Sequence, residues 1–177
     1  MRKSGNAVSS YGMLLLVAAA FMMGAAGCQT TVSAPIGGMV DQGYRISLQP
    51  GGPQAGTWDG MYVSIRYDYV RDGGKLNLKG KVKYADNIVN NYSLIDYFHL
   101  DALFLDAQGK VVDSQPLAST AYDSLLPSGP DPSVPFKKEV ILPANAVAMA
   151  FSYKGQAIAG DDDSGGGMKY FWEYPVH

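Results

Sequence analysis

From Met61 to Tyr84 the chain alternates apolar and polar side chains on both sides of a two-glycine turn, a pattern that a helix cannot use. Met61, Val63, Ile65, Tyr67 and Tyr69 alternate with Tyr62, Ser64, Arg66 and Asp68. After Asp72-Gly73-Gly74-Lys75, the residues Leu76, Leu78, Gly80, Val82 and Tyr84 alternate with Asn77, Lys79, Lys81 and Lys83. Successive side chains on a strand point to opposite faces, and Gly-Gly between two such runs predicts a β-hairpin. A two-residue turn at Gly73-Gly74 pairs Tyr69 with Leu78, Tyr67 with Gly80, Ile65 with Val82 and Val63 with Tyr84. It also pairs Asp68 with Lys79, Arg66 with Lys81 and Ser64 with Lys83. Both apolar sets then share one face, and a slip of one residue would destroy that agreement. The Tyr67 ring is expected to cover the bare backbone of Gly80.

Other stretches read the same way. Tyr44–Leu48 is a first short strand ended by Pro50-Gly51-Gly52-Pro53. Phe98, Leu100, Ala102 and Phe104 form one apolar face, with His99 and Asp101 opposite and Leu103 and Leu105 further along. A turn at Asp106–Gly109 leads into a return strand at Lys110–Ser114. Residues 115–135, rich in proline and serine, read as a long surface loop. Phe136–Leu142 and the run Val147, Met149, Phe151, Tyr153 are further strands, and Met168, Tyr170, Trp172 and Tyr174 end the chain on one strand face. Asn87–Ile95 and Ala118–Leu126 have room for a turn of helix. The chain holds 21 Gly and 10 Pro, and nearly all its acids are Asp, which favours turns over helices. The expectation is an all-β fold, an antiparallel immunoglobulin-like β-sandwich of about seven or eight strands, with a small β-barrel as the alternative.

The N-terminus carries a different signal. Arg2 and Lys3 precede an apolar run from Met13 to Met23, followed by Gly24-Ala25-Ala26-Gly27 and then Cys28. A positive start, an apolar middle and a small-residue end mark a secretory signal, and the run is shorter than the roughly 20 residues of a spanning helix. Ala25-Ala26-Gly27-Cys28 resembles the bacterial lipobox, with Ala25 where that family most often has Leu. The resemblance implies that residues 1–27 are a cleaved signal peptide, that the Cys28 thiol receives a diacylglyceryl group, and that its new amino group is acylated. Gln29 in place of Asp resembles lipoproteins sorted to the outer membrane of Gram-negative cells, facing the periplasm. Cys28 is the chain's one cysteine, so an intrachain disulfide is excluded and lipid attachment gives this lone thiol a role.

The domains expected are the signal peptide at 1–27, a lipidated N-terminus and flexible tether at 28–42, and a single sandwich at 43–177. The tether would reach roughly 20 Å. Without Arg2 and Lys3, 12 of the 14 basic residues remain against 16 acidic, a net of −4. That balance argues against nucleic acid as a partner.

Four groups are candidate sites. His99 beside Asp101 resembles an oriented base, but a solvent-facing polar pair is the preferred reading; His177 ends the chain. Gly160-Asp161-Asp162-Asp163-Ser164-Gly165-Gly166-Gly167 offers oxygen ligands for calcium in a pliable loop, yet it lacks the closing acid of an EF-hand and reads better as a solvated hairpin tip. Arg66, Lys79, Lys81 and Lys83 form a basic stripe suited to an anionic lipid, polymer or protein, or simply to keeping an exposed sheet soluble. Tyr170, Trp172 and Tyr174, with Phe171 on the other side, would make an aromatic platform for sugar rings, but core burial is the preferred reading. No catalytic, cofactor or metal residue is assigned. The function expected is a non-enzymatic binding or structural module, anchored to the membrane through Cys28, with an envelope protein or surface polymer as partner. An accessory saccharide- or peptide-binding role, calcium-dependent or not, is the alternative, and a hydrolase ranks last.

Overall fold

The two runs around Gly73-Gly74 form β3 (Val63–Asp72) and β4 (Lys75–Tyr84). All seven cross-strand pairs given by the pattern are present, from Val63 opposite Tyr84 to Tyr69 opposite Leu78. Gly73 takes a left-handed φ of 55° in the turn, where glycine has no steric cost. The computed structural model describes residues 36–120, 124–125, 133–159 and 167–177, all within one compact unit, Ser33–His177. Residues 1–27, Cys28 and most of the 160–167 loop lie outside the described residues.

Among the described residues the remaining strands are β1 (Ile46–Ser47), β2 (Gly51–Asp59), β5 (Leu94–Leu105), β6 (Val111–Thr120), β7 (Ser124–Leu125), β8 (Val134–Ile141), β9 (Ala148–Ile158) and β10 (Met168–Glu173). One sheet has the order β2-β3-β4-β8. The other runs β1-β9-β5-β6, with β10 also on β9 and β7 on β5. Every pairing is antiparallel, and the two sheets stack as an open sandwich rather than closing into a barrel. Eight strands have six residues or more, and β1 and β7 have two each.

The core between the sheets is aromatic. Trp58 meets Phe151 and Tyr153 edge-on, at 5.8 and 6.2 Å between ring centroids. Tyr84 meets Phe98 edge-on at 5.4 Å. Edge-to-face contact sets the positive rim of one ring against the negative face of the next. Val63, Ile65, Tyr67, Leu78 and Val82 are buried, while Arg66, Lys79, Lys81 and Lys83 are exposed, as the alternation requires. Met61 departs from it: it is exposed because the strand begins only at Val63.

Gly80 is covered, but not by Tyr67. Gly56, Tyr67, Gly80 and Phe136 stand side by side across the four strands. Tyr67 leans over Gly56, and Phe136 leans over Gly80, where a Cβ would sit 2.7 Å from the ring. Each ring thus fills the space that its glycine neighbour leaves.

Three other expectations are corrected, and one expected helical turn is present. Val111–Thr120 is one strand on β5, where residues 115–120 were read as loop, and Pro116 sits in it opposite Asp101. In the described sheet β6 is an edge and its register with β5 shifts between Leu100 and Asp101, and edges and bulges are where strands accommodate proline. The helical turn expected at Ala118–Leu126 is absent from its described residues, because Ala118–Thr120 belong to β6 and Ser124–Leu125 pair with Leu94–Ile95. The turn expected at Asn87–Ile95 is α1 (Asp86–Val89), pinned by buried Ile88 and finished before β5 starts.

Residues 37–40, expected to belong to a tether, instead pack against the domain. Val40 is fully buried with Leu103, Leu105, Val111, Ala148 and Ala150 in a second, smaller core. This core lies on the outer face of the larger sheet and explains why Leu103 and Leu105 follow His99 and Asp101 in parity. Arg45 donates from Nε and Nη2 to the Val40 carbonyl at 2.8 and 2.6 Å, and Met39 exchanges backbone hydrogen bonds with His177.

Candidate functional site

Strand β10 borders the larger sheet and pairs with β9, setting Tyr170 opposite Gln156, Phe171 opposite Gly155 and Trp172 opposite Lys154. Phe171 is fully buried. Its ring occupies the space where a Gly155 side chain would be, stacks on Phe98 at 6.3 Å and meets Tyr84 edge-on at 6.1 Å. With Phe171 pointing inward, period two sends Tyr170 and Trp172 outward. Tyr170 is 52% exposed, Trp172 60% and Met168 61%.

This reverses the core reading of Tyr170 and Trp172. In the sequence the three-aromatic side is the more apolar one, because Phe171 is flanked on its own face by Lys169 and Glu173. Both charges are satisfied at the rim of the sandwich. Lys169 lies over the Tyr62 ring at 5.4 Å. Glu173 accepts from the Tyr153 hydroxyl and the Met61 amide, each at 2.8 Å. The Tyr153 hydroxyl in turn accepts from the Tyr62 amide at 3.0 Å. The sequence signal that would have given the right parity is Gly155, the gap opposite Phe171.

Behind this aromatic edge the outer face continues across β9 and β5. Lys154 stands between Trp172 and His99, and Gln156 between Tyr170 and Tyr97. Gln156 donates to the Met168 sulfur at 3.0 Å, which ties the end of β10 to the sheet. Tyr97 and His99 rings lie 5.7 Å apart. His99 and Asp101 are half-buried rather than fully solvent-facing. Burial, then the Lys154 charge, lower the His99 pKa, against a smaller opposing effect of Asp101. Burial raises that of Asp101, against His99 and Lys154. Among the described residues the two side chains share no hydrogen bond, so Asp101 does not orient the imidazole as a general base requires. Tyr174 half-covers this surface and packs on the second core. His177 is exposed and pairs with Asp41 at 3.2 Å.

The opposite side of the sandwich is the outer face of β2-β3-β4-β8. It carries Arg66, Lys79, Lys81 and Lys83 as expected, and β8 adds Lys137 directly opposite Lys79. Lys79 bonds Asp68 at 3.1 Å, and Lys75 bonds Glu139 at 2.8 Å. A shallow groove of about 550 Å³ runs between Asp68, Val70, Asn77, Lys79 and Lys137. Lys137 was absent from the sequence reading because its strand partner is far away in the chain.

Among the described residues no three His, Cys, Asp or Glu side chains cluster as a metal site, and no helix is long and apolar enough to cross a membrane. No protein-family model, curated protein or solved structure gives a significant match to this chain.

Proposed function

We propose that this chain is a non-enzymatic binding module held on a bacterial membrane by lipid on Cys28, and that β10 and its neighbours on β9 present its recognition surface. The partner is a protein or surface polymer of the cell envelope. In a two-membrane cell the module faces the periplasm from the outer membrane.

One observation carries this reading: Tyr170 and Trp172 stand exposed side by side on a strand that Phe171 fixes in the core. Large aromatic side chains in water forgo the gain of burial, about 1.5–3 kcal/mol for a ring the size of Phe, and Trp and Tyr are the residues most enriched where binding energy concentrates. They supply flat apolar area with few rotatable bonds, which suits either a protein partner or the face of a sugar ring.

The chain has two tryptophans, of which Trp58 is buried and Trp172 exposed. Acrylamide should therefore quench Trp172 selectively. Titrating isolated cell-wall polysaccharide, and separately a purified envelope-protein fraction, should protect Trp172 and shift its emission to the blue in one of the two series. Tyr170→Ala with Trp172→Ala should abolish capture of that ligand while leaving the fold intact. Capture that persists in the variant would sink the assignment of the surface.

A further inference from the structure

We infer that the outer face of β2-β3-β4-β8 is a docking surface for an anionic bilayer, which would turn the Tyr170–Trp172 edge on the opposite sheet away from the lipid. The bilayer as occupant rests on the lipid-anchor reading; the charge on the face does not.

The sheet sets like charges against each other. Arg66 is directly opposite Lys81 across β3 and β4, and Lys79 is directly opposite Lys137 across β4 and β8, all on the outer face. Like charges so placed are destabilising. Asp68 offsets Lys79 and Glu139 offsets Lys75, and among the described residues Arg66, Lys83 and Lys137 form no ion pair with a carboxylate. The outer face holds six cations against four carboxylates in a chain whose net charge is −2. It thus carries net positive charge on an acidic molecule, and an external anion would relieve its self-repulsion.

Shape and position favour a lipid surface over a single small anion. The cations spread along three adjacent strands of a sheet rather than converging on one point, and the groove between Lys79 and Lys137 is shallow. The nine residues from Cys28 to Gly37, where the chain first packs on the other sheet beside β6, span at most about 3 nm at some 3.3–3.6 Å per extended residue, which keeps the domain beside the bilayer and leaves it room to turn this face to the headgroups. Tethering of that length turns weak surface attraction into a high local concentration, and basic residues near an anionic leaflet are attracted additively.

The test uses residues 33–177, the compact unit that contains both cores, so that no acyl chain contributes. Co-sedimentation is measured with phosphatidylcholine vesicles, with and without phosphatidylglycerol, at low and high salt. The unit should bind the mixed vesicles at low salt, ignore the neutral ones and be released by salt. Lys79→Glu with Lys137→Glu should lower partitioning roughly tenfold or more, whereas Lys110→Glu with Lys154→Glu, equal in charge but elsewhere, should leave most of it. Near-ultraviolet dichroism of buried Trp58 checks the fold. If the reversal variant does not fold, the milder Lys83→Gln with Lys137→Gln should give a smaller loss in the same direction. No binding by the unaltered unit overturns the proposal, and so does equal loss in both double variants. Binding of a soluble anionic polysaccharide without binding of vesicles replaces the bilayer by a polymer. Failure of lipid attachment at Cys28 would show as a full-length chain that does not partition into detergent, a result independent of the vesicle assay.

Discussion

Phe171 stands opposite Gly155 across β10 and β9, and its ring fills the volume that any side chain at position 155 would need. That contact sets the parity of β10 and hence the exposure of Tyr170 and Trp172. Gly155→Ala should force Phe171 aside and cost about 1–3 kcal/mol, as overpacking in a core does. Phe171→Ala should cost about 3–5 kcal/mol, and Trp172→Ala should stay within about 0.5 kcal/mol. Urea unfolding of the three variants ranks them. If Trp172→Ala is as damaging as Phe171→Ala, then Trp172 is part of the core and the recognition surface disappears.

The hairpin offers a sharper contrast between neighbours in sequence. Val82 is fully buried and Lys83 exposed. Val82→Asp puts an unpaired carboxylate into the core and should abolish folding, because burying such a charge is far costlier than the stability of a small domain. Lys83→Asp should change stability by about 0.5 kcal/mol or less. Circular dichroism and thermal melts of the two proteins distinguish them; similar damage in both would mean that the outer face of β4 is covered.

What the sequence disclosed follows from which contacts are local. The β3–β4 register was legible to the residue because both strands alternate and a short turn joins them. Strand β2 was not legible: in Gly51–Asp59 only Trp58 is buried, and an edge strand with one inward anchor shows no period. Proline hid the second half of β6, since Pro116 reads as a loop unless the strand is known to be an edge. Leu103 and Leu105 looked out of phase because the second core, which buries them, needs Val40, Ala148 and Ala150 from distant parts of the chain. The candidate surfaces suffered likewise. The parity of β10 depends on Gly155, and the like-charge pair Lys79–Lys137 depends on β8, neither of which a local pattern reveals.

The anchor is tested by Cys28→Ser. The thiol is the point at which the lipobox resemblance places the lipid, and a hydroxyl there should leave the chain unprocessed or released. Several acyl chains at ~0.8 kcal/mol per buried CH₂ make attachment effectively permanent, whereas one would be marginal. The unaltered protein should therefore stay with membranes through a high-salt wash and enter the detergent phase. A Ser variant that does the same would remove the lipid from the account.

His99 and Asp101 give opposite slopes of stability with pH. Burial and the Lys154 charge lower the His99 pKa below its ordinary 6.5. Between that lowered value and 6.5 the unfolded chain binds more protons than the folded one, so stability rises with pH in that window. Burial raises the Asp101 pKa above its ordinary 3.8. Between 3.8 and the raised value the folded chain holds the extra proton, so this residue's contribution falls as pH rises. His99→Gln should flatten the rise just below 6.5, and Asp101→Asn should remove the fall in the acid range and stabilise the protein at neutral pH. Thermal midpoints across an acid-to-neutral series, for the unaltered protein and both variants, measure each slope separately. Because both residues lie on the surface behind Trp172, the same series with acrylamide quenching asks whether that surface changes along with stability. Identical slopes in all three proteins would mean that the two side chains are fully hydrated and that the face behind β10 is open to water.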